Sequence, residues 1–252
     1  MTSGPNKQSS AIPGYHGIRE ALVHGHSPVR ELWLAEGKKS QRAKEILGMA
    51  RERNIPVHFV RTAELEDRFP MVVHQGMVAV SDPFSYRSLT EITTRAEMRQ
   101  GTGLILVADH ITDEGNLGAL IRAGAFFGAD GLVIPKDRSA QVSPGVIKRS
   151  SGATGLLPVC KVVNLRRVLD SLNERGFWII GTAGESSQSI YSFDWKRDLV
   201  LVLGNEERGL NPSVRKGCHA LVRIPRFGSM ESLNISVAAG VILSEIRRQH
   251  NQ

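Results

Sequence analysis

Leu199-Val-Leu-Val-Leu203 runs directly into Gly204-Asn205-Glu206-Glu207-Arg208-Gly209-Leu210-Asn211-Pro212. Apolar residues in an unbroken row, without alternation, fit a strand buried on both faces, the habit of a parallel sheet. The row then breaks at a glycine, a polar side chain and two carboxylates before a second glycine. Glycines let backbone N–H and C=O groups approach a ligand closely, and a carboxylate there can orient hydroxyls. α/β sheets bind ligands at the carboxyl ends of their strands, which is where this turn falls. The plainer reading is a strand–turn–helix connection with solvated charges, and for the Glu207-Arg208 pair it is the preferred one.

The same alternation extends both ways from this stretch. Strands are predicted over 104–109, 131–135, 159–162, 178–182 and 220–224, and helices over 116–127, 144–151, 165–175, 212–217 and 233–248. Residues 103–252 are therefore expected to form an α/β domain with a mostly parallel sheet covered on both faces. Residues 13–80 read as a smaller α/β module, with helices over 17–24, 41–53 and 62–68 and strands over 32–35, 57–60 and 76–80. Residues 1–12, rich in Ser, Gly, Pro, Asn and Gln, read as a flexible tail. Residues 81–102, bounded by Asp82-Pro83 and Gly101-Thr-Gly103, read as a linker with room for a helix over 89–99.

Composition removes whole classes of function. Hydrophobic residues at 41% and charged residues at 23% support a packed core and exclude a disordered chain. Thirty-two Lys and Arg against 25 Asp and Glu leave a net charge of +7, which favours a polyanionic partner such as nucleic acid. Aromatic residues at 6% argue against an exposed base-stacking platform. Two cysteines, Cys160 and Cys218, exclude a disulfide framework, and the eight histidines show no zinc-binding spacing, so no metal is expected. Apolar runs are too short for a membrane span and residues 1–10 lack the core of a secretion signal, so a cytoplasmic location is expected. G-x-G-x-x-G after a strand, the P-loop and the G-x-S-x-G elbow are all missing.

Two further segments stand at predicted strand ends. In Asp109-His-Ile-Thr-Asp-Glu-Gly-Asn116, Asn116 is expected to cap the following helix. Arg122 follows among Ala119, Leu120, Ile121, Ala123 and Ala125, where a guanidinium needs an anionic or carbonyl partner unless it snorkels to solvent. In Ile224-Pro225 … Ser232-Leu233-Asn234-Ile-Ser236, polar side chains gather where a helix begins and free N–H groups can hold a ligand. A well-capped helix packed through Ala238, Ala239 and Gly240 is the alternative. Each segment alone is weak; their order and spacing together are strong.

Asn116-x5-Arg122, Gly204-x-Glu206 with Gly209, and Ile224-Pro225 … Ser232-Leu233-Asn234-x-Ser236 together resemble the SpoU/TrmH branch of the SPOUT methyltransferases. Ile134-Pro-Lys-Asp-Arg-Ser-Ala-Gln141 and Gly181-Thr-Ala-Gly-Glu185 are similar to its RlmB-like subgroup. The resemblance runs from about Pro13 to the C-terminus, and Tyr15-His-Gly17-Ile with His74-Gln-Gly76 resembles that family's L30e-like RNA-binding domain. Two departures stand out: Asp113-Glu114-Gly115-Asn116 where members often carry Asp-Pro-x-Asn, and Gly204-Asn-Glu206 for the commoner Gly-Ala-Glu.

The resemblance implies S-adenosylmethionine as cofactor, a deep C-terminal trefoil knot, and a homodimer with its sites near the subunit interface. It implies methylation of an RNA ribose 2′-hydroxyl, foremost on a guanosine of 23S ribosomal RNA. Cofactor contacts fall to Thr182, Gly184, Gly204, Ile224 and Leu233, and catalysis to Asn116, Arg122, Glu206, Ser232 and Asn234. A guanidinium with a pKa above about 12 is better read as a clamp on the 2′-oxygen or a nearby phosphate than as a base. That leaves Glu206 to accept the proton or orient Arg122, while Asn116, Ser232 and Asn234 position ribose and Arg122. RNA contacts are expected at Lys38, Lys39, Arg42, Lys44, Arg138, Lys148, Arg149 and Arg226. Alternatives are a 2′-O-methyltransferase for transfer RNA or a resistance-conferring ribosomal nucleotide, and a non-catalytic RNA-binding assembly factor.

Overall fold

A computed structural model describes residues 10–24, 28–37, 40–70, 73–82, 84–230 and 232–251, and the chain divides into two units, 1–85 and 86–252. In the first unit, β1 (Ser10–Pro13), α1 (Gly14–His24), β2 (Val29–Ala35), α2 (Gln41–Glu52), β3 (Val57–Val60), α3 (Thr62–Arg68) and β4 (Met77–Ser81) follow one another. Their sheet has the order β1-β4-β2-β3, antiparallel except for the β2–β3 pair. The period-two geometry of β2 divides the core. Leu32 and Leu34 pack with Ile18, Ile46 and Met77, whereas Trp33 and Ala35 pack with Val60, Leu65 and Phe69.

β1 occupies the end of the stretch expected as tail. Ala11 and Ile12 pair with Val80 and Ala79 of β4, and Ile12 is buried. The polar residues before Ser10 set the composition of that stretch, but two apolar residues suffice to add an edge strand.

The second unit contains α4 (Leu89–Glu97), β5 (Leu104–Ala108), α5 (Glu114–Phe126), β6 (Gly131–Pro135), α6 (Pro144–Ser150), β7 (Val159–Val162) and α7 (Leu165–Glu174). It continues with β8 (Trp178–Thr182), β9 (Leu199–Leu203), α8 (Pro212–Arg215), β10 (Ala220–Val222) and α9 (Ile235–His250). Its sheet, ordered β10-β8-β9-β5-β6-β7, is parallel at every pair. β5, β6 and β9 are buried at every position, as unbroken apolar runs require.

α4 lies inside the stretch expected as a linker and belongs to this unit's core. A capping box of Ser88 and Glu91 starts it, and Ile92 and Ala96 pack with Ile105, Val107, Val133 and Phe177. The chain steps outward from β5 through β6 to β7. It then returns to lay β8 down two places from β5, fills the gap with β9, and ends the sheet with β10 at the far edge. No helix among the described residues is long and apolar enough to cross a membrane.

Candidate active site

β5 and β9 are neighbours in register Ala108↔Leu203, and Asp109 N–H continues the pairing by donating to the Leu203 carbonyl at 2.8 Å. The segments after the two strands therefore start side by side. α5 does not begin where Asn116 was expected to cap it. Asp113 is the cap: its Oδ1 accepts from the Asn116 backbone N–H at 2.7 Å, and the helix starts at Glu114. Relieved of that task, the Asn116 side chain lies in the first turn of α5 and reaches outward.

It donates from Nδ2 to Glu206 Oε1 at 2.8 Å and accepts at Oδ1 from Asn234 Nδ2 at 2.8 Å. Asn234 in turn caps α9, its Oδ1 accepting from Ser236 N–H at 2.9 Å and Ser236 O–H at 2.6 Å. The order of donors follows from chemistry. An ionised carboxylate only accepts, so Asn116 must turn its NH2 to Glu206 and its oxygen to Asn234. Asn234 must then present NH2 to Asn116 and oxygen to the unsatisfied N–H groups of α9. One polarised chain of hydrogen bonds thus runs from the start of α9 through Asn234 and Asn116 to Glu206, joining positions 90 and 118 residues apart.

Glu206 is carried on a tight loop. Asn205 and Gly209 exchange N–H···O bonds, both 2.9 Å, which fold the loop onto the end of β9. A Cβ on Gly204 would sit 2.5 Å from the Gly209 carbonyl carbon and 2.6 Å from Leu210 N, so only glycine lets the loop close. Gly209 is left-handed at φ +65°. The Asn205 side chain accepts from the N–H groups of Glu207 and Arg208 and donates to the His110 carbonyl at 2.8 Å. The same Nδ2 lies 3.2 Å from Glu206 Oε2, so both carboxylate oxygens of Glu206 have an amide donor. Asn205, one of the two departures from the family pattern, supplies the second.

Arg122 stands apart from this chain of bonds. It is exposed, and its Nη1 donates to Ser151 Oγ at 3.4 Å; among the described residues no hydrogen bond or ion pair joins it to Asn116, Glu206, Ser232 or Asn234. Six helical residues place it about 120° round α5 from Asn116 and about 9 Å along the axis. Ser232 is exposed just before Asn234 and likewise shares no hydrogen bond with the network among the described residues.

Four of the five residues expected to hold a cofactor lie at or just after the carboxyl ends of three neighbouring strands. β10, β8 and β9 are adjacent and parallel, with Val222 opposite Thr182 and Gly181 opposite Val202. Their carboxyl ends lead to Ile224, to Thr182 and Gly184, and to Gly204. Thr182 Oγ1 donates to the Val202 carbonyl at 3.2 Å, and a Cβ on Gly184 would meet nothing within 4 Å, so that backbone is open to a ligand. Leu233, 52% exposed, offers an apolar surface close to the cap of α9. Open backbone beside partly uncovered aliphatic side chains suits S-adenosylmethionine, whose adenine ring is flat and edged with polar atoms.

The basic residues expected to meet RNA are spread more widely. Lys148, Arg149, Arg138 and Arg226 are exposed on the second unit. The Arg149 guanidinium lies against the first turn of α5, since a Cβ on Gly115 would lie 2.7 Å from its Nη1. Arg42 and Lys44 are exposed on α2 of the first unit, with Arg42 over the Tyr15 ring at 5.3 Å from its centroid. Lys38 and Lys39 lie outside the described residues.

Two features of the site had escaped the sequence reading. The Asp113 cap was signalled by a carboxylate three residues before Asn116, the spacing of a helix start. The pairing of buried Asp109 with His110 Nδ1 at 2.6 Å carries no comparable signal.

Residues 103–244 match the family model described as "SpoU rRNA Methylase family", and residues 11–87 match the one described as "RNA 2′-O ribose methyltransferase substrate binding". The chain is 39% identical over 242 residues to a 23S rRNA (guanosine-2′-O-)-methyltransferase RlmB of Pseudomonas putida, covering 96% of this chain and 97% of that protein. It is 40% identical over 244 residues to the protein of the same name from Xanthomonas campestris pv. campestris, covering 97% and 98%. Among solved structures, the SpoU methyltransferase AviRb from Streptomyces viridochromogenes in complex with AdoMet superposes with a TM-score of 0.80. That pair is 28% identical, covering 98% of this chain and 95% of that one. Motifs, parallel sheet and comparisons agree, and the chain belongs to the SpoU rRNA methylase family.

Proposed function

We propose that this chain methylates the ribose 2′-hydroxyl of a guanosine in 23S ribosomal RNA, using S-adenosylmethionine. The observation that carries the reading is the hydrogen-bonded chain Asn234–Asn116–Glu206, which brings three distant motifs to the carboxyl edge of one parallel sheet. The RlmB relatives, similar over nearly their whole length, support the guanosine of 23S ribosomal RNA as the target.

When bound, S-adenosylmethionine supplies a methyl group on a sulfonium and keeps the electron pair of the broken C–S bond. Thr182, Gly184, Gly204, Ile224 and Leu233 would hold it. Glu206, its oxygens fixed by Asn116 and Asn205, accepts the proton of the attacking hydroxyl or orients the guanidinium that stabilises the developing charge. Asn116, Ser232 and Asn234 set the sugar in line, so positioning supplies much of the acceleration. Arg122, exposed on another side of α5 from Asn116, serves as the electrostatic clamp at the site of a partner protomer in a homodimer.

The remaining features follow the same family reading. The insertion of β9 between β5 and β8, with β10 laid outside β8, suits a C-terminal segment threaded into a deep trefoil knot. The leading unit acts as an L30e-like RNA-binding domain, and the protein works in the cytoplasm.

Mapping ribose methylation on RNA from a strain deleted for this gene, with and without the gene restored, tests the activity. One 23S guanosine should lose its methyl group on deletion and regain it on restoration. An unchanged ribosomal map, or a change confined to transfer RNA, refutes the assigned target.

A further inference from the structure

β5 and β9 lie side by side, yet the chain leaves them in opposite directions, toward β6 from one and toward β10 from the other. Such a divergence opens a crevice at the carboxyl ends of the strands, where open α/β sheets take ligands. A cavity of about 480 Å³ lies there, within the usual size range of small-ligand sites. Its walls are the exits of β5 (Asp109, His110), β6 (Arg138) and β9 (Asn205, Arg208, Asn211), and it includes none of the five expected cofactor residues.

The walls are built rather than incidental. Asp109 is 1% exposed; its Oδ2 accepts from Asn211 N–H at 2.6 Å and its Oδ1 meets His110 Nδ1 at 2.6 Å. That pairing fixes the imidazole and leaves Nε2 without a partner among the described residues. His110 and Arg138 are left-handed, at φ +59° and +53°, a conformation that non-glycine residues keep only where their surroundings impose it. The turn bearing Arg138 is tied back to the β5 exit, with Ala140 N–H and Ser139 Oγ donating to the Ile111 carbonyl at 2.8 and 3.1 Å. Neither the Arg138 nor the Arg208 guanidinium has a carboxylate partner among the described residues.

We propose that this cavity is a subsite for an RNA nucleotide flanking the one that is methylated, with Arg138 and Arg208 holding its phosphodiester. Two guanidinium forks match phosphate oxygens, and the Asp109 carboxylate beneath them is already engaged on both oxygens. The free Nε2 of His110 and the carboxylate of Glu207, which also lines the cavity, meet the polar edges of that nucleotide's base and sugar. The subsite rests on the proposed RNA methylation and adds the place where a neighbouring nucleotide is held. It also assigns a role to Arg208, a residue that the sequence alone leaves among solvated charges.

Filter retention of a radiolabelled, unmodified 23S rRNA transcript over a series of salt concentrations tests it on the full chain without cofactor. Arg208→Gln and Arg138→Gln should each raise Kd roughly tenfold, the cost of one charge-assisted hydrogen bond. Each should also make the slope of log affinity against log salt shallower by about one. Calorimetric affinity for S-adenosylmethionine should be unchanged in both, and His110→Ala should weaken RNA binding with no change in salt slope. Arg208 is exposed without a side-chain partner among the described residues, so its replacement leaves the fold intact. Unchanged Kd and slope in Arg208→Gln overturn the subsite. Wild-type protein that binds the transcript but transfers no methyl group refutes the enzymatic reading, and Arg208→Gln then still decides whether the cavity holds an RNA phosphodiester; failure to bind at all refutes both.

Discussion

Replacing Asn116 by aspartate tests the polarised chain of bonds with the smallest change of shape available. Asn116 Nδ2 donates to Glu206 Oε1 at 2.8 Å, so Asn116→Asp sets a second carboxylate against the first. Two unit charges at that separation repel by roughly 1.5 kcal/mol in bulk water and about 6 kcal/mol at an effective dielectric of 20. Glu206 is exposed, so the lower part of that range applies. Losing a hydrogen bond to a charged group adds about 1.5–3 kcal/mol. The pair escapes part of the total by sharing a proton. Methyl transfer from labelled S-adenosylmethionine to unmodified 23S rRNA should show kcat/KM reduced about 100-fold to 1000-fold near pH 8, since 1.36 kcal/mol is tenfold. The acid limb of the pH profile should move upward, and Asn116→Ala, which loses the donor without adding charge, should be less damaged. Calorimetric cofactor affinity verifies the fold. Asn116→Asp retaining activity within about threefold of wild type, with an unmoved pH profile, would show that the bond between Asn116 and Glu206 does not serve the reaction.

Other outcomes follow from single residues. Gly204→Ala forces a Cβ to within 2.5 Å of loop backbone, so it should destabilise the chain by about 1–3 kcal/mol and abolish cofactor binding; an unshifted Tm with normal binding would contradict the packing. Arg122→Lys keeps the charge but not the planar fork, and should lower kcat by roughly 100-fold at unchanged cofactor affinity; near-normal methylation would eliminate the clamp. Burial holds the His250 imidazole below its ordinary value of 6.5; its hydrogen bond to the Trp195 carbonyl opposes this, the Arg247 guanidinium pushes the same way and Asp198 opposes. The unfolded chain therefore binds that proton more readily, so the contribution is complete above pH 6.5 and is lost as pH falls toward the lowered value. The urea midpoint should drop as pH falls below about 6.5, and His250→Gln should flatten that dependence; an equally steep drop in the variant would assign it elsewhere.

Unbroken apolar runs made β5, β6 and β9 legible, because burial on both faces leaves no room for a polar residue. Element ends were harder to read, for a physical reason. Asn116 and Asn234 are both good capping residues, yet only Asn234 caps, because Asp113 reached the start of α5 first. Which of two candidates wins depends on where the preceding strand delivers the chain, and that is a matter of tertiary structure. Residues 10–12 looked like tail because their partner strand lies about seventy residues away. The motif residues themselves were readable through their resemblance to a family. The order of donors among them was not, since it depends on Glu206, Asn116 and Asn234 meeting in space.

α9, which follows every strand of the sheet in the chain, also anchors the bond chain that ends on Glu206. β9 enters the middle of the sheet after four of its six strands have been made, and Asn234 follows later still. A nascent chain can therefore complete its leading unit and much of its second core while the carboxylate remains without its full support. In translation order, the support of that carboxylate is therefore completed only after every strand around it has been made.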